Sequence, residues 1–267
     1  MTLSRQLAVL GLAALAGLTG SAALAGNHPA RIVSSSVRVS PSKVAGLSIR
    51  CPAGTVAASG GLADAHMGVK TIQARPKGSR TWQFRFLAVR QGVEKVSVSA
   101  VCVKQRRVAI VRRSISSRSN ARLILRCRPG MTPVGLGWKE ARSGKARSVR
   151  AGWALKSAVA GKRAWKVTAS DLLHQSKKPS GRLTLYGRCI SHTIVQRERF
   201  AARVVRGENV LIRPCSTGPG AIGGGFLLGR RQLFGGISIT SAFSGRWLVY
   251  NPSRSGKLSL SLLCLKG

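Results

Sequence analysis

Lys95-Val-Ser-Val-Ser-Ala-Val-Cys102 alternates apolar and small polar residues and ends on a cysteine. The same pattern returns as Arg182-Leu-Thr-Leu-Tyr-Gly-Arg-Cys189 and as Lys257-Leu-Ser-Leu-Ser-Leu-Leu-Cys264. A period of two belongs to a strand with one buried face and one wet face. Its threefold return makes the chain a repeat protein, and repeats govern any choice of fold.

Working outward, each closing strand is preceded by a tryptophan segment: Thr81-Trp-Gln-Phe-Arg-Phe86, Trp165-Lys-Val-Thr-Ala169 and Trp247-Leu-Val-Tyr250. Each copy also carries an earlier cysteine followed by glycines, as in Cys51-Pro-Ala-Gly54 with Gly61, Cys127-Arg-Pro-Gly130 with Gly137, and Cys215-Ser-Thr-Gly218 with Gly225. The boundaries expected are residues 26–105, 106–193 and 194–267. Clusters such as Pro76-Lys-Gly-Ser79, Ser176-Lys-Lys-Pro-Ser180 and Asn251-Pro-Ser-Arg-Ser-Gly256 read as turns between strands. Five or six short strands per copy are expected, and no helix beyond the first residues.

Residues 1–25 read as a secretory signal, with Arg5 before the apolar run Leu7 to Leu18 and a small-x-small site at Ala23-Leu24-Ala25. No later stretch approaches the roughly 18 apolar residues of a membrane span. The expected location is therefore extracellular, with attachment to the cell wall as a variant. An oxidising compartment suits six cysteines, two per copy. The repeat pairs Cys51 with Cys102, Cys127 with Cys189, and Cys215 with Cys264. Each bridge would close a loop of about 50 to 60 residues, worth roughly 4 kcal/mol in the chain-entropy model. No spacing resembles a zinc or redox motif, so neither metal nor cofactor is expected.

The fold expected is all-β: three repeats of antiparallel strands about a pseudo-threefold axis, like a prism. Three tandem small sandwiches are the alternative. Cys51-Pro-Ala-Gly54 with Gly60-Gly61, and Gly223-Gly224-Gly225, resemble repeats of secreted actinobacterial-type proteins across nearly the whole chain past the signal. The second copy departs, with Arg128 before Pro129 and Leu136 between its glycines. The plan is more distantly similar to the β-prism of vitelline membrane outer layer proteins, without that family's acidic motifs. Neither resemblance implies a catalytic residue.

Charge is the other dominant feature. The chain has 45 Lys and Arg against 6 Asp and Glu, a formal net charge of +39. At most six cations can find a carboxylate, and the rest repel one another. A folded body so charged, its cations expected on one continuous face, implies an anionic polymer as partner: cell-wall teichoic-type polymer, nucleic acid or acidic polysaccharide. Enzyme chemistry is disfavoured. Asp64, Glu94, Glu140, Asp171, Glu198 and Glu208 share no repeat position, and glycoside hydrolysis requires facing carboxylates. Asp64-Ala-His66 is the one close acid–histidine pair. Gly218-Pro-Gly220-Ala-Ile-Gly223 matches a dinucleotide fingerprint in letters alone, because the sister copies have turns there.

Comparison of the copies locates the elaborated region. The stretch from Gly137 to Trp165 exceeds its counterparts by about six or seven residues. The insertion lies between Trp138 and Trp153 and carries Lys139, Arg142, Lys145, Arg147 and Arg150. Cations beside aromatic rings suit a phosphate-bearing or stacked ligand. A second basic run, Lys104-Gln-Arg-Arg-Val-Ala-Ile-Val-Arg-Arg113, supplies Arg106, Arg107, Arg112 and Arg113 and reads as an edge strand. A lectin-like site for neutral glycan, lined by Trp153, and a wall protein without a discrete ligand are the rival expectations.

Overall fold

A computed structural model of the chain describes residues 30–41, 43–63, 68–88, 91–105, 107–116, 120–141, 153–171, 181–191, 195–216, 220–228, 238–243 and 245–266. Among these the regular structure is entirely strand, as the period-two alternation requires.

The first copy contributes β1 (Ala30–Val39), β2 (Val44–Arg50), β3 (Thr55–Leu62), β4 (Val69–Lys77), β5 (Thr81–Ala88) and β6 (Glu94–Lys104). The second contributes β7 (Val108–Ser116), β8 (Ala121–Arg126), β9 (Met131–Ala141), β10 (Trp153–Ala160), β11 (Ala164–Asp171) and β12 (Arg182–Ser191). Among its described residues the third contributes four strands, two of them long: β13 (Val195–Ile212), β14 (Ala221–Leu228), β15 (Ser238–Phe243) and β16 (Arg246–Leu265).

The expected turn at 251–256 is therefore not a break. Strand β16 runs through it, and β13 likewise fuses two runs that are separate in the other copies. The register between them jumps from Val205↔Ser255 to Gly207↔Asn251, and Gly207 absorbs the bend at φ 99°. A bulge lets Pro252, which has no N–H to donate, sit without a ladder partner.

One pairing rule serves each copy. The first strand pairs with the last, and the last pairs with the glycine strand: β1–β6–β3, β7–β12–β9 and β13–β16–β14. The remaining strands form a second group, β2–β5–β4 and β8–β11–β10, with its counterpart in the other halves of β13 and β16 plus β15. The groups then join across copies. β4 meets β9 through Gln73↔Lys139 and Ala74↔Trp138, and β10 meets β14 through Ser157↔Leu227 and Ala158↔Phe226. β15 lies beside β3. Three sheets follow: a six-stranded one, β2-β5-β4-β9-β12-β7, a seven-stranded one, β13-β16-β14-β10-β11-β8 with β15 on β16, and a three-stranded one, β1-β6-β3.

The glycine strands β3, β9 and β14 pack against one another at the centre. A Cβ at Gly135 would collide with the carbonyl oxygen of Ala58, and one at Gly223 with that of Val134. Only glycine lets three backbones approach this closely. Around them Trp82, Trp165 and Trp247 are fully buried. All three expected disulfides are present, Cys51–Cys102, Cys127–Cys189 and Cys215–Cys264. The first two bridges tie the two strand groups of one copy, which belong to different sheets.

Candidate functional site

The sequence candidates do not converge. Arg106, Arg142, Lys145, Arg147 and Arg150 lie outside the described residues. Trp153 is 8% exposed and belongs to the apolar core, while Trp138 is partly buried against both core clusters. Trp153 therefore offers little ring face for stacking a ligand. Its role is at the base of the insertion, where its backbone N–H donates to Glu140 Oε1 at 3.2 Å. Glu140 in turn pairs with Lys70 of the first copy at 3.3 Å. Lys139, on β9, is half-buried.

Arg107, Arg112 and Arg113 are exposed. Side chains alternate along a strand, so neighbours in sequence point to opposite faces. Arg112 stands opposite Tyr186 and Arg113 opposite Leu185. Arg112 thus shares the outer face with Tyr186, whose ring lies 5.3 Å beneath the Arg75 guanidinium, and Arg113 does not.

Exposed cations stand on the outer faces of all three sheets, not on the single continuous face expected from the charge. Arg38 on β1 faces Lys95 on β6, and Arg203 on β13 faces Lys257 on β16. All four are exposed. Like charges directly opposite on adjacent strands are destabilising.

One concave feature gathers cations from several elements. A cleft of about 620 Å³ opens between the second and third copies, within the size range of small-molecule sites. Its lining includes Lys162 and Arg163 from the β10–β11 turn, Arg197 on β13 and Lys266 after β16, with Leu263 and the Gly130–Thr132 segment forming its walls. Among the described residues, that lining holds no Asp or Glu side chain. The Nε of Arg197 is buried and makes no hydrogen bond. Burial, and then repulsion from Arg199, hold the Arg197 pKa below its ordinary value.

The corresponding place between the first and second copies holds a fully buried arginine. There Arg188 occupies the rung that Leu263 holds in the third copy, each being the residue before the closing cysteine. The Arg188 guanidinium donates to the Gly78 carbonyl oxygen at 2.7 Å and is fully buried. Desolvation brings its pKa down to about 10. Beside it, Arg80 donates through Nε and one terminal nitrogen to the Cys51 carbonyl at 3.0 and 2.8 Å. The neighbouring rung holds Ile110, opposite Arg188, whereas Arg197 stands opposite Leu263. The arginine has moved by one strand, and the cleft is open where it moved.

Sequence reading missed Lys162, Arg163, Arg197 and Lys266. The signal was there, since Arg197 replaces the isoleucines found at Ile32 and Ile110, but it appears only when paired rungs are compared. Glu198, Cys215 and Cys264 also lie together. The two sulfurs are bonded to each other, and the carboxylate accepts hydrogen bonds from the Ser216 N–H and hydroxyl, so the group is structural.

No protein-family model matches this chain, and no curated protein matches it. Among solved structures it has a slight likeness to a chain described under "The Triple Jelly Roll Fold and Turret Assembly in an Archaeal Virus", at 8% identity and a TM-score of 0.16, covering 85% of this chain and 81% of that one.

Proposed function

We propose that this chain is a secreted, non-enzymatic protein that holds anionic polymers on a Lys- and Arg-rich surface. The observation that carries the reading is the pair of same-sign rungs, Arg38 opposite Lys95 and Arg203 opposite Lys257, exposed and repelling. Four cations placed where they oppose folding call for negative charge from outside. Three disulfides fit an oxidising, extracellular setting. No helix among the described residues is long and apolar enough to cross a membrane.

The cations occupy several outer faces, so the polymer wraps or bridges molecules instead of docking on one patch. Such binding works by release of condensed counterions and reads little sequence or sugar identity. We also infer that the three sheets form a prism-like body. β15 beside β3 would extend the three-stranded sheet just as β4–β9 and β10–β14 extend the other two. Burial of Trp153 weighs against a tryptophan-lined site for neutral glycan.

The test is retention of the disulfide-bonded chain on cell-wall polymer, DNA and heparin-like resin at increasing salt. Neutralising six or more charges makes affinity fall by roughly a thousandfold or more between about 50 and 200 mM salt. A flat profile would remove the proposal.

A further inference from the structure

The cleft between the second and third copies differs from the outer faces in kind. It is concave, built from several separate segments, and contains a guanidinium whose Nε is buried without a partner. A buried donor left unsatisfied is destabilising. The Nε of its counterpart Arg188 is likewise buried without a partner, while a terminal nitrogen of Arg188 donates to the Gly78 carbonyl. Arg197 also lines the cleft, where Lys162, Arg163 and Lys266 add three further positive charges.

We propose that this cleft binds a phosphate monoester, with Arg197 as its principal ligand and Lys162, Arg163 and Lys266 closing around the other oxygens. The inference rests on the anionic-ligand reading above and gives it a discrete site. A phosphate monoester carries close to two negative charges on three acceptor oxygens, where a sulfate ester or a carboxylate offers four cations only one charge. Guanidinium groups hold it by paired hydrogen bonds. The volume of about 620 Å³ leaves room for the sugar or polyol that bears the phosphate. Binding would also restore the Arg197 proton affinity that burial and Arg199 depress.

Titration calorimetry of the full disulfide-bonded chain with glycerol 3-phosphate, inorganic phosphate and methyl sulfate tests this. One site per chain is expected, with glycerol 3-phosphate at least about tenfold tighter than methyl sulfate, the scale of one charge-assisted hydrogen bond. Arg197→Ile should weaken it at least about tenfold. Isoleucine already stands at this rung in the other copies, and an unchanged melting curve verifies folding. The double variant Arg197→Ile with Leu263→Arg keeps the net charge and rebuilds the junction of Arg188. It should lose glycerol 3-phosphate while its polymer binding keeps the same salt dependence. Lys266→Gln, at an exposed position, should weaken the small ligand a few-fold.

Wild-type affinity retained in Arg197→Ile overturns the site, as do equal binding of methyl sulfate and the absence of a saturable site. If those occur while polymer affinity still falls with salt, the site fails and polymer binding stands. A flat polymer profile, together with loss of glycerol 3-phosphate in Arg197→Ile, removes polymer binding and keeps the site. Two sources of the ester are separable, and each supports the site. Tighter binding of a 5′-phosphorylated oligonucleotide than of its dephosphorylated form places it on a polymer end. Equal affinity places it on a small molecule.

Discussion

The Arg188 guanidinium donates a 2.7 Å hydrogen bond to the carbonyl oxygen of Gly78, so a charged side chain of the second copy is sealed against a turn of the first. Removing a buried charge in favour of a well-packed apolar residue is often neutral or stabilising, and the third copy shows that leucine fits this rung. Arg188→Leu should therefore raise stability by about 1–2 kcal/mol near pH 7 in urea denaturation. Burial brings the folded pKa of Arg188 down to about 10, below that of an ordinary guanidinium. The folded chain binds this proton less tightly than the unfolded chain, so the penalty is complete below pH 10 and relieved as pH rises through it. The advantage of the variant should be level from about pH 6 to about pH 9 and shrink above pH 10. An advantage that grows there would contradict the assignment.

Backbone approach at the centre gives a second expectation. Gly223→Ala drives a Cβ into the Val134 carbonyl, and neither backbone can retreat without disturbing the other strands. The cost should be at least about 3 kcal/mol, the upper end for overpacking. Gly54→Ala meets open space at φ +75° and should cost about 1 kcal/mol through strain alone. Equal losses in denaturant midpoints would show that the close approach is not tight.

Each disulfide closes a long loop. Replacing Cys51 and Cys102 together by serine should cost about 2–5 kcal/mol, read as a lowered denaturation midpoint under oxidising conditions. The same variant in excess reductant should match the reduced wild type more closely than the oxidised one.

The same-sign rungs predict an inverse relation between stability and binding. Arg38→Gln with Lys95→Gln relieves a cross-strand repulsion and should add about 0.2–1 kcal/mol at low salt. That gain should vanish near 1 M salt, where screening is nearly complete. Polymer affinity should fall in the same variant, with a shallower dependence on salt. A variant that gains stability yet binds polymer unchanged would separate the rungs from the ligand.

Strand identity and cysteine pairing were legible because the copies repeat them: Lys95–Cys102, Arg182–Cys189 and Lys257–Cys264 lie in strands, and their cysteines pair as the repeat required. The continuous passage of β16 through Pro252 was not legible. A proline cluster reads as a turn unless its partner strand is known to skip those residues. Pairing across copies was hidden for a similar reason, since Ala74 and Trp138 carry no local mark of adjacency. Trp153 misled because an added tryptophan near cations suits either a stacking platform or a packed loop base, and only its burial decides between them. The cleft escaped because Arg197 is one arginine among many until Ile32 and Ile110 are set beside it.

All six cysteines are consumed in bridges that begin and end within a single copy. Apart from the main chain, neighbouring thirds are therefore held by noncovalent forces alone. A single proteolytic cut near Gln105 would leave a molecule that elutes intact under native conditions, yet separates in detergent without any reductant.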